Sequence, residues 1–546
     1  MDYFLIYTGY VLILSLLMGV SSWRLYKIMG YHPLFSCIPF YNYYIIQKET
    51  QHPKWWVILA YLPVVGPIML SVFHLYLMKK FGKGALKDQV LTLLLPFIYI
   101  GIVNYSKNKI LQEESSDEDI FSESSTKKDS FAGSLTFAVV FATVIHVFVA
   151  QPFGIPTGSM ENTMLVGDFL FVNKWSYGYR LPMRPLSIPF LQGTIMDTGK
   201  KGNPKDDPKS YIESVKLPYE RIFQFQKPKR NELVVINYPR DSVHKAIDRM
   251  DPYVKRNVAV AGDIFEIRNG KFFINGKPEH MMGDQFLQHS FTIRTLTPMN
   301  ISSLYKAYGY LPLTEYQTNM GFTYAFQGLT DKVASELKKD EEVQRVLQTA
   351  WPKDSAAIAY QLNSDRSAYT KSIDTAQSIF PINKKWNPHW YGPVRIPKKN
   401  DRVTLNQESL PMYEWIIKDY EHNRLERKNG KIFVNGKETT HYTIQQDYYM
   451  MIGDNRDASL DGRFFGFVPE ENIVGKPILT WLSIQGLFKN DSSTYQAPLK
   501  IRWDRMFTLA NTGETNKTSY WWVGIIILVV FFGWENIIRL IKKRSR

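Results

Sequence analysis

Cysteine is nearly absent from this 546-residue chain, where Cys37 stands alone. A single thiol excludes an intrachain disulfide, so packing and hydrogen bonds must hold the fold together. It leaves the cellular compartment open, because a well-cored domain needs no disulfide. A recognisable histidine triad is also missing, although the chain has ten histidines. Acidic residues are in deficit, 51 against 66 lysines and arginines, for a net charge of +15. That excess is spread along the middle of the chain and flanks its apolar runs, notably at Lys127, Lys128 and residues 539–546. No nucleic-acid-binding motif accompanies it, so nucleic acid is not the expected partner, and basic flanks of membrane spans explain part of the charge.

What is present is unevenly placed. Hydrophobic residues make up 45% of the chain, yet mean hydropathy is −0.23, because a polar middle lies between apolar ends. Residues 3–20 form a first apolar run; without a basic leader or a convincing cleavage site it reads as a retained span rather than a removable signal. Residues 31–46 are aromatic and proline-containing, in the manner of an interfacial or re-entrant piece. Runs at 55–77 and 86–103 are two further candidate spans, whose prolines 63, 67 and 96 a membrane helix tolerates where neighbours re-satisfy the backbone. Residues 106–131 are charged and serine-rich, as expected of a solvated cytoplasmic linker. The run at 132–150 follows, long enough at about 1.5 Å per residue to cross a hydrocarbon core of roughly 30 Å. A last span is expected at 520–538, closed by the basic tail.

Orientation follows from where the cations sit. Lysines 127 and 128 make the 132–150 span run outward, and the tail makes the last span run inward, so residues 151–519 should lie on the outer face. The lysines between the second and third runs fit this rule poorly, and how many of the first three runs span stays open.

Within the polar middle, residues 168–173, 232–238, 264–267 and 271–274 read as short strands bounded by turn residues. Two near-copies, RNGKFFINGK at 268–277 and KNGKIFVNGK at 428–437, each put Asn-Gly before and after a four-residue strand, which predicts tight hairpins. Residues 284–420 differ in composition and form a candidate insertion, with a helix expected over 332–350.

Three segments carry chemistry. The first, QPFGIPTGSMENTM at 151–164, is broken by Pro152, Gly154, Pro156 and Gly158, so it cannot be helical and presents Ser159 on a turn-rich entry to a strand. Gly158-Ser159-Met160 is not the G-x-S-x-G elbow, so a base other than a triad histidine is needed. The second, YVKRNVAVAGD at 253–263, sets Lys255 in an apolar strand where burial would force its ammonium into low dielectric. The third, GDNRDASLDGR at 453–463, is dense in charges of both signs. Here Asp461 can pair with Arg463 and Asp454 with Arg456, leaving Ser459 to orient a buried lysine. A Ca²⁺ loop is the competing reading, but the EF-hand glycine and terminal glutamate are missing and two arginines would repel a cation.

Together these segments resemble the bacterial type I signal peptidases, membrane serine proteases with a Ser–Lys dyad. The resemblance rests on PTGSMENTMLVGD at 156–168, the strand at 230–239, YVKRNVAVAGD, and GDNRDASLDGRFFGFVPEENIVGK at 453–476. It implies Ser159 as nucleophile, Lys255 as general base, Ser459 as the lysine's orienter, and Asp461 and Arg463 as supports. It further implies an oxyanion hole made by the Ser159 N–H and the Thr157 hydroxyl, and small-residue pockets lined by Phe153, Ile155, Pro156, Met164 and Val254. Three departures stand out: A-V-A-G-D follows the lysine where the family has G-L-P-G-D, Ala458 replaces an asparagine, and residues 284–420 interrupt the usual domain.

The fold class expected is mainly β: an antiparallel β catalytic domain with an inserted α/β subdomain, anchored by transmembrane α-helices. Its parts are a multi-span region at 1–105, the linker at 106–131, a transmembrane helix at 132–150, catalytic parts at 151–283 and 421–500 around the 284–420 insertion, and a terminal helix at 520–538. No cofactor or metal is expected. Signal-peptide-bearing preproteins are the expected substrates, the lipid bilayer the surroundings and the protein export machinery a neighbour. The place is the cytoplasmic (inner) membrane, multi-pass, with the catalytic domain extracytoplasmic. Two other readings remain: an idle homologue serving as a scaffold at the export machinery, and a self-cleaving Ser–Lys repressor, which lacks flanking spans.

Overall fold

The computed structural model describes residues 3–106, 138–196, 207–241, 246–319, 321–353, 360–362, 369–371, 379–488, 498–510, 512–513 and 518–526. Nearly all of the serine-rich linker, the start of the 132–150 run, most of the C-terminal run and the basic tail lie outside them. The chain divides into two units.

The first unit, Met1–Gln151 with Gly178–Phe223 and Ser242–Met250, is led by a helix at Tyr3–Ile28. Among the described residues this is the one helix long and apolar enough to cross a membrane, with a mean hydropathy of 2.0 over its best window. The runs at 55–77 and 86–103 are not continuous helices. The first breaks into Trp56–Leu59 and Gly66–Lys80, the second into Leu86–Leu94 and Pro96–Tyr105. The breaks fall where proline removes a donor and restricts its neighbour: Val64, after Pro63, takes φ 70°, and Leu95, before Pro96, takes φ −135° and ψ 58°. Residues 31–46 form a short 3₁₀ turn, Pro33–Cys37, and most of a helix, Tyr41–Glu49. Inside this bundle the Asn42 side-chain oxygen accepts from the Tyr61 hydroxyl at 2.7 Å, and the Tyr43 hydroxyl meets His74 Nε2 at 2.9 Å.

The second unit holds an antiparallel sheet. Its main strands are β1 (Asp168–Asn173), β2 (Leu233–Asn237), β3 (Pro252–Ala259), β4 (Tyr448–Ile452) and β5 (Ile473–Gln485). They lie in the order β1-β5-β2-β3-β4. Strand β1 alternates buried and half-buried residues, as one covered face requires, whereas every residue of β2 and β4 is buried. Strand β3 therefore runs between two strands with no solvent face, and any charge it carries must find a partner inside.

Both Asn-Gly repeats form the expected hairpins. Ile264–Arg268, Lys271–Ile274 and Lys277–Pro278 make one meander, and Leu425–Lys428, Lys431–Val434 and Lys437–Glu438 the other. At all four turns both residues have positive φ, the geometry that matches strand twist and favours Asn-Gly.

Residues 284–420 do not behave as one piece. His289–Thr295, Thr314–Thr318, Gly321–Leu329 and Val343–Gln348 form a separate four-stranded sheet, carrying helices Ile301–Tyr308 and Asp331–Leu337. The helix expected over 332–350 stops at Leu337, and its second half is a strand. Pairing with the 289–295 strand, which sets Val346 opposite Ile293, overrides the local helical preference. Residues 390–395 instead pair with 264–268, and Tyr391, Val394, Ile396, Leu410 and Ile417 share one core with Phe265 and Phe272. Phe265 is fully buried, edge-on to Phe272 at 5.4 Å and 5.8 Å from Tyr391. Phe265→Ala should therefore cost about 3–5 kcal/mol, read as a drop in the unfolding midpoint, whereas Phe265→Leu should cost much less.

Candidate active site

Ser159 sits in the single 3₁₀ turn Gly158–Met160, entered from extended backbone at Thr157. Lys255 lies in the middle of β3 and is 2% exposed. Ser459 is buried in the loop between β4 and the short helix Gly462–Phe465. The fold brings the three together: Lys255 Nζ is 2.7 Å from Ser159 Oγ and 3.1 Å from Ser459 Oγ. Burial lowers the lysine from its ordinary 10.5 to about 8; Asp461 and Asp454 pull the other way and Arg463 assists. The amine is thus half neutral one unit above physiological pH, beside a hydroxyl whose proton it can accept.

The loop at 453–463 builds this setting. Asp461 caps the Gly462–Phe465 helix through the Arg463 N–H and receives Arg463 Nε at 2.9 Å and Nη2 at 2.8 Å. Burial would raise the Asp461 carboxyl, but the guanidinium outweighs it and keeps the carboxylate charged. The expected pairing of Asp454 with Arg456 does not form. Asp454 takes Arg256 Nε at 2.9 Å and Nη2 at 2.7 Å, along with the Thr163 hydroxyl at 2.7 Å, while Arg456 turns to Glu279 at 2.9 Å. Neighbours in a tight loop point apart, so each finds its counter-ion on another element. Both loop carboxylates expected to pair are thereby held by guanidinium groups. Among the described residues no three His, Cys, Asp or Glu side chains gather as a metal site.

Two further residues fix the serine turn and were not legible in the sequence. The Asn455 N–H donates to the Ser159 carbonyl at 3.2 Å, and Asn455 Nδ2 donates to the Gly158 carbonyl at 3.0 Å. Gly453 allows the closest approach: a Cβ there would lie 2.2 Å from Ser459 Oγ and 2.5 Å from the Ser159 carbonyl oxygen. Arg256 had a faint signal, being a second cation next to Lys255 in an apolar strand. Of the expected pocket residues, Ile155, Met164 and Val254 join one apolar cluster with Phe153 packed against it, while Pro156 is exposed and outside it. Thr157 is exposed, and its hydroxyl has no hydrogen-bond partner among the described residues.

The family described as signal peptidase, peptidase S26, matches residues 129–303 and 392–482. Signal peptidase I of Helicobacter pylori is 24% identical over 381 residues, covering 69% of this chain and 91% of that protein. Signal peptidase I of Buchnera aphidicola subsp. Acyrthosiphon pisum is also 24% identical, over 411 residues, 74% of this chain and 90% of the relative. That of Haemophilus influenzae is 23% identical over 408 residues, 74% and 80%. Over those two segments the chain is similar to the signal peptidase S26 family. It is a serine protease, and its matched segments contain Ser159, Lys255 and the whole 453–463 loop. A family of unknown function (DUF5684) matches residues 34–113, in the helical unit.

The lowered lysine has a calculable effect on the stability of this serine protease. With a folded pKa near 8 and an unfolded value of 10.5, the unfolded chain binds the extra proton first as pH falls. Stability therefore drops between about pH 10.5 and 8 and is flat below, a penalty of about 3 kcal/mol at neutral pH. Lys255→Met should remove it, so at pH 7 the variant should melt at or above the parent's midpoint, and this difference should shrink as pH approaches 10.5.

Proposed function

We propose that the chain is a membrane-bound serine endopeptidase that removes N-terminal signal peptides from exported preproteins, using Ser159 and Lys255. The observation that carries this is the 2.7 Å contact between Lys255 Nζ and Ser159 Oγ, made in a buried setting that drives the amine toward neutrality. The relatives' name, signal peptidase I, supplies the substrate class.

Chemically, the neutral Lys255 amine takes the Ser159 hydroxyl proton while Oγ attacks the scissile carbonyl carbon. The oxyanion is received by the Ser159 N–H and the Thr157 hydroxyl, which is exposed and uncommitted. The Lys255 ammonium then protonates the departing amine, leaving an acyl-enzyme. Water, deprotonated by the same amine, breaks that ester and frees Ser159. Ser459 keeps the lysine aimed, and the Asp461–Arg463 pair holds the loop that carries Ser459. Phe153, Ile155, Met164 and Val254 offer an apolar wall suited to small side chains. The long apolar N-terminal helix and the charge pattern around residues 132–150 support a multi-pass inner-membrane protein with residues 151–519 outside.

Purified protein should cleave a peptide bearing Ala-x-Ala before the bond, and Ser159→Ala should not. Replacing the alanine next to the bond by phenylalanine should slow cleavage by roughly 5- to 150-fold, the effect of overfilling a packed pocket at a cost of about 1–3 kcal/mol. Equal rates would contradict the pocket assignment.

Roles within the site separate by substitution. Lys255→Arg should be inactive, because a guanidinium cannot be deprotonated in a protein. Thr157→Val should lower kcat by about 10²–10³ and Thr157→Ser should be nearly silent. A fully active valine variant would remove Thr157 from the mechanism.

A further inference from the structure

The inserted sheet touches the machinery at a specific place. Gln288, fully buried just before its first strand, donates its N–H to the Asp454 carbonyl at 3.1 Å and accepts from the Arg456 N–H at 2.9 Å. The insertion is thereby stitched to both sides of Asn455. Gln288 Nε2 also donates to the Tyr310 hydroxyl at 3.3 Å, and that hydroxyl receives Asn162 Nδ2 as well. Asn162 follows the Ser159 turn and holds a left-handed φ of 65°, a conformation that asparagine accepts more readily than most residues.

Gly328, in the insertion's Gly321–Leu329 strand, closes the arrangement. A Cβ there would lie 2.8 Å from Asn455 Nδ2, 3.1 Å from Asn455 Oδ1 and 3.2 Å from Gln288 Oε1. The same Nδ2 donates to the Gly158 carbonyl. The insertion thus presses on the amide that sets the serine turn from one side, and ties Asn162 from the other. Tyr310 and Gly328 both fall in the stretch between the two segments matched to the S26 family.

We infer that the insertion is a positioning element of the active site, with Gly328 and Tyr310 setting the Ser159 turn through Asn455 and Asn162. This rests on the Ser159 nucleophile proposed above. It makes these positioning residues rather than catalytic ones, since neither reaches the reacting atoms. A misplaced nucleophile loses rate while ground-state binding is retained, so the effect should appear in kcat rather than KM.

The test is a double-mutant cycle on peptide cleavage by the 546-residue chain. Gly328→Ala should lower kcat by about 10- to 100-fold with KM changed less than about twofold. Asn455→Ala should lower kcat comparably, and adding Gly328→Ala to it should cost nothing further, because the amide that the methyl group displaces is gone. Tyr310→Phe, which keeps the ring, should lower kcat by about 3- to 10-fold at an unchanged unfolding midpoint. Independent, multiplying losses in the cycle would overturn the inference. So would parental kcat in both Gly328→Ala and Tyr310→Phe. A Ser159→Ala control in the same assay separates the two claims: if that variant still cleaves, the nucleophile assignment fails, whereas an inactive control with unaffected insertion variants sinks the positioning role alone.

Discussion

Removing the Lys255 ammonium from water is the constraint on which the site depends. An exposed lysine near 10.4 is over about 99.9% protonated at pH 7 and cannot serve as a base. Strand β3 solves this by lying between β2 and β4, each buried along its length, so the side chain leaves the sheet shielded from bulk water. Burial alone would be undone by a nearby free carboxylate, and Asp461 is close enough to raise the lysine. Arg463 engages both Asp461 oxygens, so the carboxylate's field is largely matched by a guanidinium. The loop charges hence serve less to bind than to cancel one another around a site that must stay nearly neutral.

The neighbouring residues Lys255 and Arg256 show the same principle with opposite outcomes. Both are buried in β3, at 2% and 1% exposure. Arg256 meets Asp454 through a fork of hydrogen bonds, with Asp284 at 3.5 Å, and stays charged. Lys255 meets two hydroxyls, which accept from an ammonium but do not neutralise it. A guanidinium could not have lost its proton in either place. The order of the two residues along the strand therefore matters: exchanging them would put the cation that cannot be deprotonated at the serine.

What could be read from the sequence was whatever is encoded locally. The serine turn follows from Pro156 and Gly158, the strands from alternating or continuous apolar residues, and both meanders from Asn-Gly turns whose φ values few other residues accept. Where long-range contacts decide, the reading fails. The 338–348 segment has helical composition but is recruited by the strand at 289–295. Two apolar runs have the composition of spans, yet prolines 63 and 96 divide them. The pairings of Asp454 with Arg256 and of Arg456 with Glu279 join residues far apart in the chain, and spacing within D-N-R-D carries no record of them. Of the residues expected to line a pocket, all but Pro156 pack in one apolar cluster, and an apolar cluster tolerates much imprecision about which member touches which.

Ser159, the proposed nucleophile, is held in a way that leaves its hydroxyl to Lys255. Ser159 could have been fixed through Oγ, but a donor or acceptor bound there would compete with Lys255. Instead the turn is secured through main-chain carbonyls: Asn455 donates to those of Gly158 and Ser159. Because a carbonyl has two lone pairs to accept with, these bonds set position without engaging the Ser159 hydroxyl. The requirement passes to Asn455, and buried ion pairs at Asp454 and Asp461 brace the loop that carries it. Gly453 completes the geometry by allowing Ser459 and the Ser159 carbonyl to converge where a side chain would part them. Rigid charge pairs at the periphery and backbone clamps on the turn thus leave, at the centre, one hydroxyl facing one amine.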